Sequence, residues 1–574
     1  MGLLDAVVLT LLLLGPLAWL RGRTPLPSGW HPLLVLCCAS LIVLVSGLLG
    51  ALWPGVLAVC VLSLGMAVLT GVRERTALLA PLRDPVVLTW LLGVTVLAVL
   101  LHGQTLTHYD NFSHWGLVIA VMLQDGRLPN GADAVIGFPT YPLGAASLGY
   151  LSHRVLGVAE SSSMLAQAVF ITSSALPVAS AAGRRRAAGV ALHLVAASAL
   201  LTTISGPTNL LVDSLVAALA GALLALILLV PDAVPRHPWA FALVSGALIM
   251  TKSSGTFFVG AATLVAIVLL LRRREQVRPS LWVGWLGALA LPWLLWWWWG
   301  RHVEDAFVGA DASKHSGSAQ QLSTTYAEKT PQDRQEILGD LLTAALSDAR
   351  LWTMVLVLLL TGAVAVRSGV LGPRAYRLLL TTCLLLVVLW EVALGLMYLW
   401  SMPLAEADNL AGFQRYQATL HLVLLLLLLT LVATVVAGLS RPFFPTVLVA
   451  VPAVVVALTL AQVSSFSPAA GPSAAARVEL EDTLAGTSVS EGDEVCLLLS
   501  APDNGFRTWI TRYLLLHDNV RSDVLEDAAT GLPGRLDGCD LLVLLDQRPS
   551  TAEAIRSDGL SFPDGAQAPA MIEP

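Results

Sequence analysis

The chain has 574 residues, of which 56% are hydrophobic and only 13% charged, with a mean hydropathy of +0.75 and a formal net charge of −6. A soluble globular chain carries about 25% charged residues, so the composition excludes one and describes an α-helical polytopic membrane protein. Arginines gather in short loops while acids gather in long loops and the C-terminal tail, which also excludes a nucleic-acid partner.

Measured against about 20 apolar residues per span, membrane helices are expected at 3–20, 32–50, 54–71, 86–101, 161–182, 187–204, 210–230, 238–251, 255–271, 281–299, 350–366, 376–399, 417–438 and 444–463, about fourteen in all. The first apolar run lacks a basic leader and reads as a retained span, not a cleaved signal. The basic loops hold Arg21 and Arg23, Arg73 and Arg75, Arg184 to Arg186, Arg272 to Arg274, Arg367, Arg374 and Arg377, and Arg441. With these in the cytoplasm, 102–160, 300–349, 400–416 and the tail from about 464 fall outside a plasma membrane that the chain crosses many times. The expected organisation is a multi-span domain over 1–463, a Ser-, Pro- and Ala-rich linker over 464–475, and an extracytoplasmic domain over 476–574.

The first polar cluster after a hydrophobic run is His108-Tyr109-Asp110-Asn111-Phe112-Ser113-His114-Trp115. Ionisable groups at a membrane boundary are costly unless solvated, paired or used. Asp110 and His114 are four apart and share a face if the segment is helical. Asp110 has the chemistry of a general base toward an acceptor hydroxyl, with His114 orienting substrate. The plain alternative is that Asp110 caps a helix over 111–124 and the aromatic residues are interfacial anchors.

Further along, Phe138-Pro139-Thr140-Tyr141-Pro142-Leu143-Gly144 forces a turn back toward the membrane and offers Tyr141 as a substrate contact. Asp213 stands at the outer end of its span. Lys252 lies between two apolar segments, where it neutralises a phosphate as a point charge or snorkels to the head groups. Trp296 to Trp299 read as interfacial anchors, and the mixed charge and Gly/Ser content of 300–349 as a mobile cover. Arg415 opens another span and suits a phosphate or carboxylate fork, or a pairing with Glu406.

In the tail, the short apolar runs 495–499 and 541–545 read as buried strands, with a helix over 506–516 between them, giving a small α/β domain. Of the six cysteines, Cys37, Cys38, Cys60 and Cys383 lie in apolar runs. Cys496 and Cys539 lie in polar sequence and are candidates for a disulfide if the tail is outside the cytoplasm. There is no phosphate-binding glycine loop with its lysine, no HExxH zinc pair and no GxSxG elbow.

Taken together, the Tyr109 to Trp115 string, Tyr141-Pro142-Leu143-Gly144, Asp213, Lys252 and Arg415-Tyr416 resemble the GT-C superfamily of integral-membrane glycosyltransferases over about residues 85–465. The Ala-, Leu-, Val- and Arg-rich composition is similar to that of actinobacterial members, whose relatives include arabinosyl and mannosyl transferases of the cell envelope. The resemblance implies a polyprenyl-phosphate sugar as donor on the outer face, an envelope glycan or lipid as acceptor, membrane lipids as surroundings, and Asp110 as base in an inverting displacement. His114, Tyr141, Asp213, Lys252 and Arg415 are then the substrate-binding candidates. Asn111 stands where the family's acidic pair has its second carboxylate. One carboxylate and one amide hold a divalent cation weakly, so no cofactor is expected beyond such an ion. Two other readings fit the same residues: a transporter or flippase of an envelope lipid, in which the charges line a path, and a non-catalytic envelope assembly protein that uses the tail to interact.

Overall fold

The computed structural model describes residues 2–230, 236–307, 319–438, 472–485, 489–490, 492–524, 538–545 and 570–572. Among them are nine helices long and apolar enough to cross a membrane and four shorter apolar ones, Pro85–Leu101, Arg186–Thr202, Asp213–Leu228 and Pro238–Ile249. The chain is a multi-pass helical membrane protein with a small sheet near its C-terminus. The expected span at 444–463 lies outside the described residues.

Local sequence sets the helix limits. Helices open on Pro85, Pro238, Pro279 and Pro373, where the missing N–H is no loss because a first-turn donor has no helical partner. The span expected at 161–182 is a helix over Glu160–Ala175 that breaks ahead of Pro177 and resumes over Pro177–Ala181. The proline ring cannot donate into the ladder and crowds the preceding turn.

At the centre runs Asp213–Leu228, every residue of which is buried. A helix that is apolar all round can satisfy itself only with neighbours on every side, and here they include Phe413–Gly438, Glu160–Ala175 and Pro238–Ile249. Gly221 lets the backbones close up, since a Cβ there would come within 2.7 Å of the Leu426 side chain. The only acid of this helix is its first residue, Asp213. Carboxylates are favoured at that end because the free N–H groups carry partial positive charge.

Three short helices fill the polar end of the bundle around residues 102–160. A π-helical turn over Asn111–Trp115 runs into Gly116–Asp125, and Gly144–Leu156 follows. In the other large loop, the expected mobile cover contains the helices Ala319–Ala327 and Pro331–Ser347. Lys329 between them is 1% exposed and donates to the carbonyls of Thr325, Leu399 and Met402, which ties the loop to the end of helix Pro373–Trp400.

The C-terminal domain is a four-stranded sheet in the order β2-β1-β3-β4, with β1 Val495–Leu499, β2 Val520–Val524, β3 Leu541–Leu544 and β4 Ala570–Ile572. The first three are parallel and β4 is antiparallel to β3. β1 and β3 are adjacent and buried throughout, as uninterrupted apolar runs require. Helix Phe506–Leu515 crosses between β1 and β2, and Cys496 and Cys539 form a disulfide. The segment expected as a linker differs at its end: a helix over Pro472–Leu484 takes in its last residues. Proline at the first helical position followed by Ser473 and Ala474 to Ala476 favours a helix over an open link. Residues 464–471 lie outside the described residues.

Candidate active site

Four segments distant in sequence meet at the polar end of the central helix. Asp110 enters from the turn before the π-helix, Asp213 from the first turn of the central helix, Lys252 from the turn between Pro238–Ile249 and Gly255–Arg272, and Arg415 from the first turn of Phe413–Gly438. Lys252 Nζ donates to Asp213 Oδ1 at 2.7 Å, and Arg415 Nη1 donates to Asp110 Oδ2 at 2.9 Å. Arg415 Nε stands 3.9 Å from Asp213 Oδ2. The result is a chain of alternating charge, Lys252 to Asp213 to Arg415 to Asp110, balanced overall.

Exposure grades along this chain. Side chains of Asp110 and Arg415 are 30% and 32% exposed, that of Lys252 is 12% and that of Asp213 is 3%. Asp110 and Arg415 thus lie nearest the surface, and the Lys252–Asp213 pair lies at the bottom.

Asp110 does not cap the helix that follows it, for its side chain makes no bond to the backbone there. Its own N–H donates to His108 Nδ1 at 3.1 Å, and its Oδ1 takes no hydrogen bond from the described residues. Lys252 does not snorkel, being held by Asp213. Tyr416 lies beneath both cations, with Lys252 Nζ 5.8 Å and the Arg415 guanidinium carbon 5.5 Å from its ring centre.

His114 and Tyr141 belong to the wall rather than to the ion chain. Tyr141 stacks on Trp115 and Phe138 with ring centres 5.7 and 5.6 Å apart, and His114 meets Tyr141 edge-on at 4.9 Å. His114 is 3% exposed and neither ring nitrogen has a hydrogen-bond partner in the described structure. Burial, with a smaller push from Lys252, lowers its pKa to about 3, so the ring is neutral at physiological pH. Burial similarly raises the pKa of the Tyr141 hydroxyl, which stays protonated.

A pH dependence follows. Burial also lowers His153, bonded through Nε2 to Ser163 Oγ at 2.7 Å, to about 4. An unfolded histidine titrates near 6.5. As pH falls below that value, the unfolded chain takes up protons that the fold refuses, and stability drops until about pH 4 for His153 and about pH 3 for His114. The expected slope is on the order of 1 kcal/mol per pH unit per histidine. Thermal midpoints of the detergent-solubilised protein should fall between about pH 6.5 and 4.5, and His114→Phe should flatten the fall. Equal slopes for variant and wild type would contradict this.

Asn111 explains itself in the tertiary structure. Its Oδ1 accepts the Leu210 N–H at 3.1 Å, strapping the π-helical turn to the segment before Asp213. Asn111 Oδ1 is thus bonded to the backbone, and Asp110 and Asp213 each face a cation. No group of three or more His, Cys, Asp or Glu side chains suited to a metal occurs among the described residues.

Among solved structures, the chain resembles ArnT from Cupriavidus metallidurans. The forms bound to undecaprenyl phosphate and in the apo state share 13% and 14% identity with it, with TM-scores of 0.36 and 0.37. Each match covers 85% of this chain and 97% of ArnT. Likeness this slight transfers nothing about chemistry. No family model and no curated protein matches the chain.

Sequence reasoning passed over two features. Glu391, the lone acid in helix Pro373–Trp400, accepts a hydrogen bond from Gln417 Nε2, about one half-turn beyond Arg415 in the neighbouring helix. An isolated acid in an apolar span was the available signal. The other is the set of contacts between the C-terminal domain and the segment carrying Asp110, for which the sequence holds no signal.

Proposed function

We propose that this chain is a membrane glycosyltransferase of the GT-C type, which moves a sugar from a polyprenyl-phosphate donor to a hydroxyl of an envelope acceptor on the outer face. The observation that carries the reading is the convergence of Asp110, Arg415, Asp213 and Lys252 on one graded, charge-balanced site, with one oxygen of Asp110 left open.

In the displacement, Asp110 Oδ1 accepts the acceptor's hydroxyl proton as the new bond to the anomeric carbon forms. The bond from that carbon to the phosphate oxygen breaks, and its electron pair leaves with the lipid phosphate. Configuration inverts. Arg415 and Lys252 supply fixed positive charge for the phosphate as it gains charge, so little reorganisation is needed at that moment. Arginines placed in the cytoplasm put this site and the C-terminal domain outside, where no nucleotide is needed. The reading uses no cofactor.

Purified protein in proteoliposomes, given polyprenyl-phosphate mannose or arabinose and an envelope acceptor extract, is expected to form a new glycan and release polyprenyl phosphate. Movement of labelled lipid across the bilayer with no sugar transferred would establish the transporter reading instead.

A further inference from the structure

The C-terminal domain is seated on the segment that carries Asp110. Arg477, in helix Pro472–Leu484, is only 5% exposed, and its guanidinium forks onto Glu160, Nη1 to Oε2 at 2.8 Å and Nη2 to Oε1 at 2.9 Å. The same Glu160 accepts the Leu106 N–H at 2.6 Å and the Tyr513 hydroxyl proton, while the Leu106 carbonyl accepts from Arg477. Both ends of the Leu106 peptide units are thus held, four residues before Asp110.

Immediately either side of Asp110 the contact is aromatic. Phe112 is fully buried, with its ring 6.0 Å from Phe506 and 5.3 Å from Tyr513, and Tyr109 stacks on Phe506 at 6.1 Å. The C-terminal domain therefore grips the chain before and after the carboxylate. Besides the Asn111–Leu210 bond and the Arg415–Asp110 pair, the segment has little regular structure of its own: residues 104–107 are irregular, and the π-helical turn has no side-chain cap. A guanidinium and a carboxylate taken out of water at a contact between domains repay their desolvation only through close geometry. A fork gives that geometry and fixes orientation, which a single flexible charge does not.

We propose that the C-terminal domain is the positioning element for Asp110, with the Arg477–Glu160 fork as its latch. This rests on Asp110 being the base. The tail is then part of the site's scaffold and not an independent binding module. A misplacement near 1 Å costs up to about 10²-fold in rate.

The test uses the full chain in nanodiscs with three variants: Arg477→Met/Glu160→Gln, which removes both charges, Arg477→Lys, which keeps the charge and loses the fork, and Asp110→Asn. In the double variant, amide hydrogen exchange over 106–115 is expected to quicken about tenfold or more, while strands β1 and β3 stay protected. Turnover of the polyprenyl-phosphate sugar that the wild type uses should fall about tenfold or more. Binding of undecaprenyl phosphate should stay within about twofold, because neither residue meets the phosphate. Arg477→Lys should fall between wild type and double variant in both exchange and turnover, and it carries the test alone if the double variant unfolds. Wild-type exchange over 106–115, or wild-type turnover despite quickened exchange, would overturn the proposal. If Asp110→Asn is inactive while the Arg477 variants turn over normally, the positioning role fails and the base assignment stands. If Asp110→Asn is active, the base assignment fails, and the proposal fails with it.

Discussion

Asp110→Asn is expected to lower sugar transfer about 10²- to 10⁴-fold, the range that a positioned proton acceptor contributes, while leaving folding and lipid binding intact. Asparagine keeps the size of the side chain and an oxygen that accepts from Arg415 Nη1, now 2.9 Å away. The lost charge sits at a partly exposed position, where an ion pair contributes about 1 kcal/mol or less to stability. What the amide cannot do is take a proton at neutral pH. Rate and stability should therefore separate: thermal midpoint and affinity for the proposed polyprenyl-phosphate donor near those of the wild type, turnover close to background. Full activity in the variant would return Asp110 to an ion-pairing role with no part in the chemistry.

The second large effect is expected at the floor of the site. Lys252→Met leaves Asp213, 2% exposed, with Arg415 Nε at 3.9 Å as its nearest cation. Breaking a buried pair from one side costs about 3–5 kcal/mol, because the remaining charge is stranded. Asp213→Asn/Lys252→Met strands neither charge, so most of that stability should return. Transfer should not return with it, since Lys252 is proposed to meet the departing phosphate. The single variant is thus expected to be unstable and inactive, and the double variant stable and inactive. Transfer restored along with the melting temperature would show that the pair is only a structural strut.

Much of this was legible one residue at a time. Asp110, Asp213, Lys252 and Arg415 stood out because each is charged at the edge of an apolar run, where an unused charge is costly. Their partners were not legible. Arg415 and Asp110 are 305 positions apart, and on sequence grounds Glu406 was as good a partner for Arg415. Asn111 reads in sequence as a weak metal ligand, and nothing there indicates that its oxygen takes the Leu210 N–H. In the tail, the all-apolar β1 and β3 were readable as buried strands, whereas β2, Val520-Arg521-Ser522-Asp523-Val524, was not, since it is an edge strand with most of its residues half-buried. Cys496 and Cys539 could be paired by elimination among polar cysteines. Arg477 and Glu160 could not, being ordinary charges in polar stretches 317 positions apart.

The sequence by itself determined the membrane class, the apolar runs that become helices and the charges that stand at their edges, because transfer from water to an apolar medium is a property of composition along a short window. The tertiary structure alone decided that Lys252 meets Asp213, that Arg415 joins Asp213 to Asp110, and that the C-terminal domain grips the segment holding that carboxylate. Coulomb and hydrogen-bond energies depend on separation in space, and distance along the chain carries no record of it.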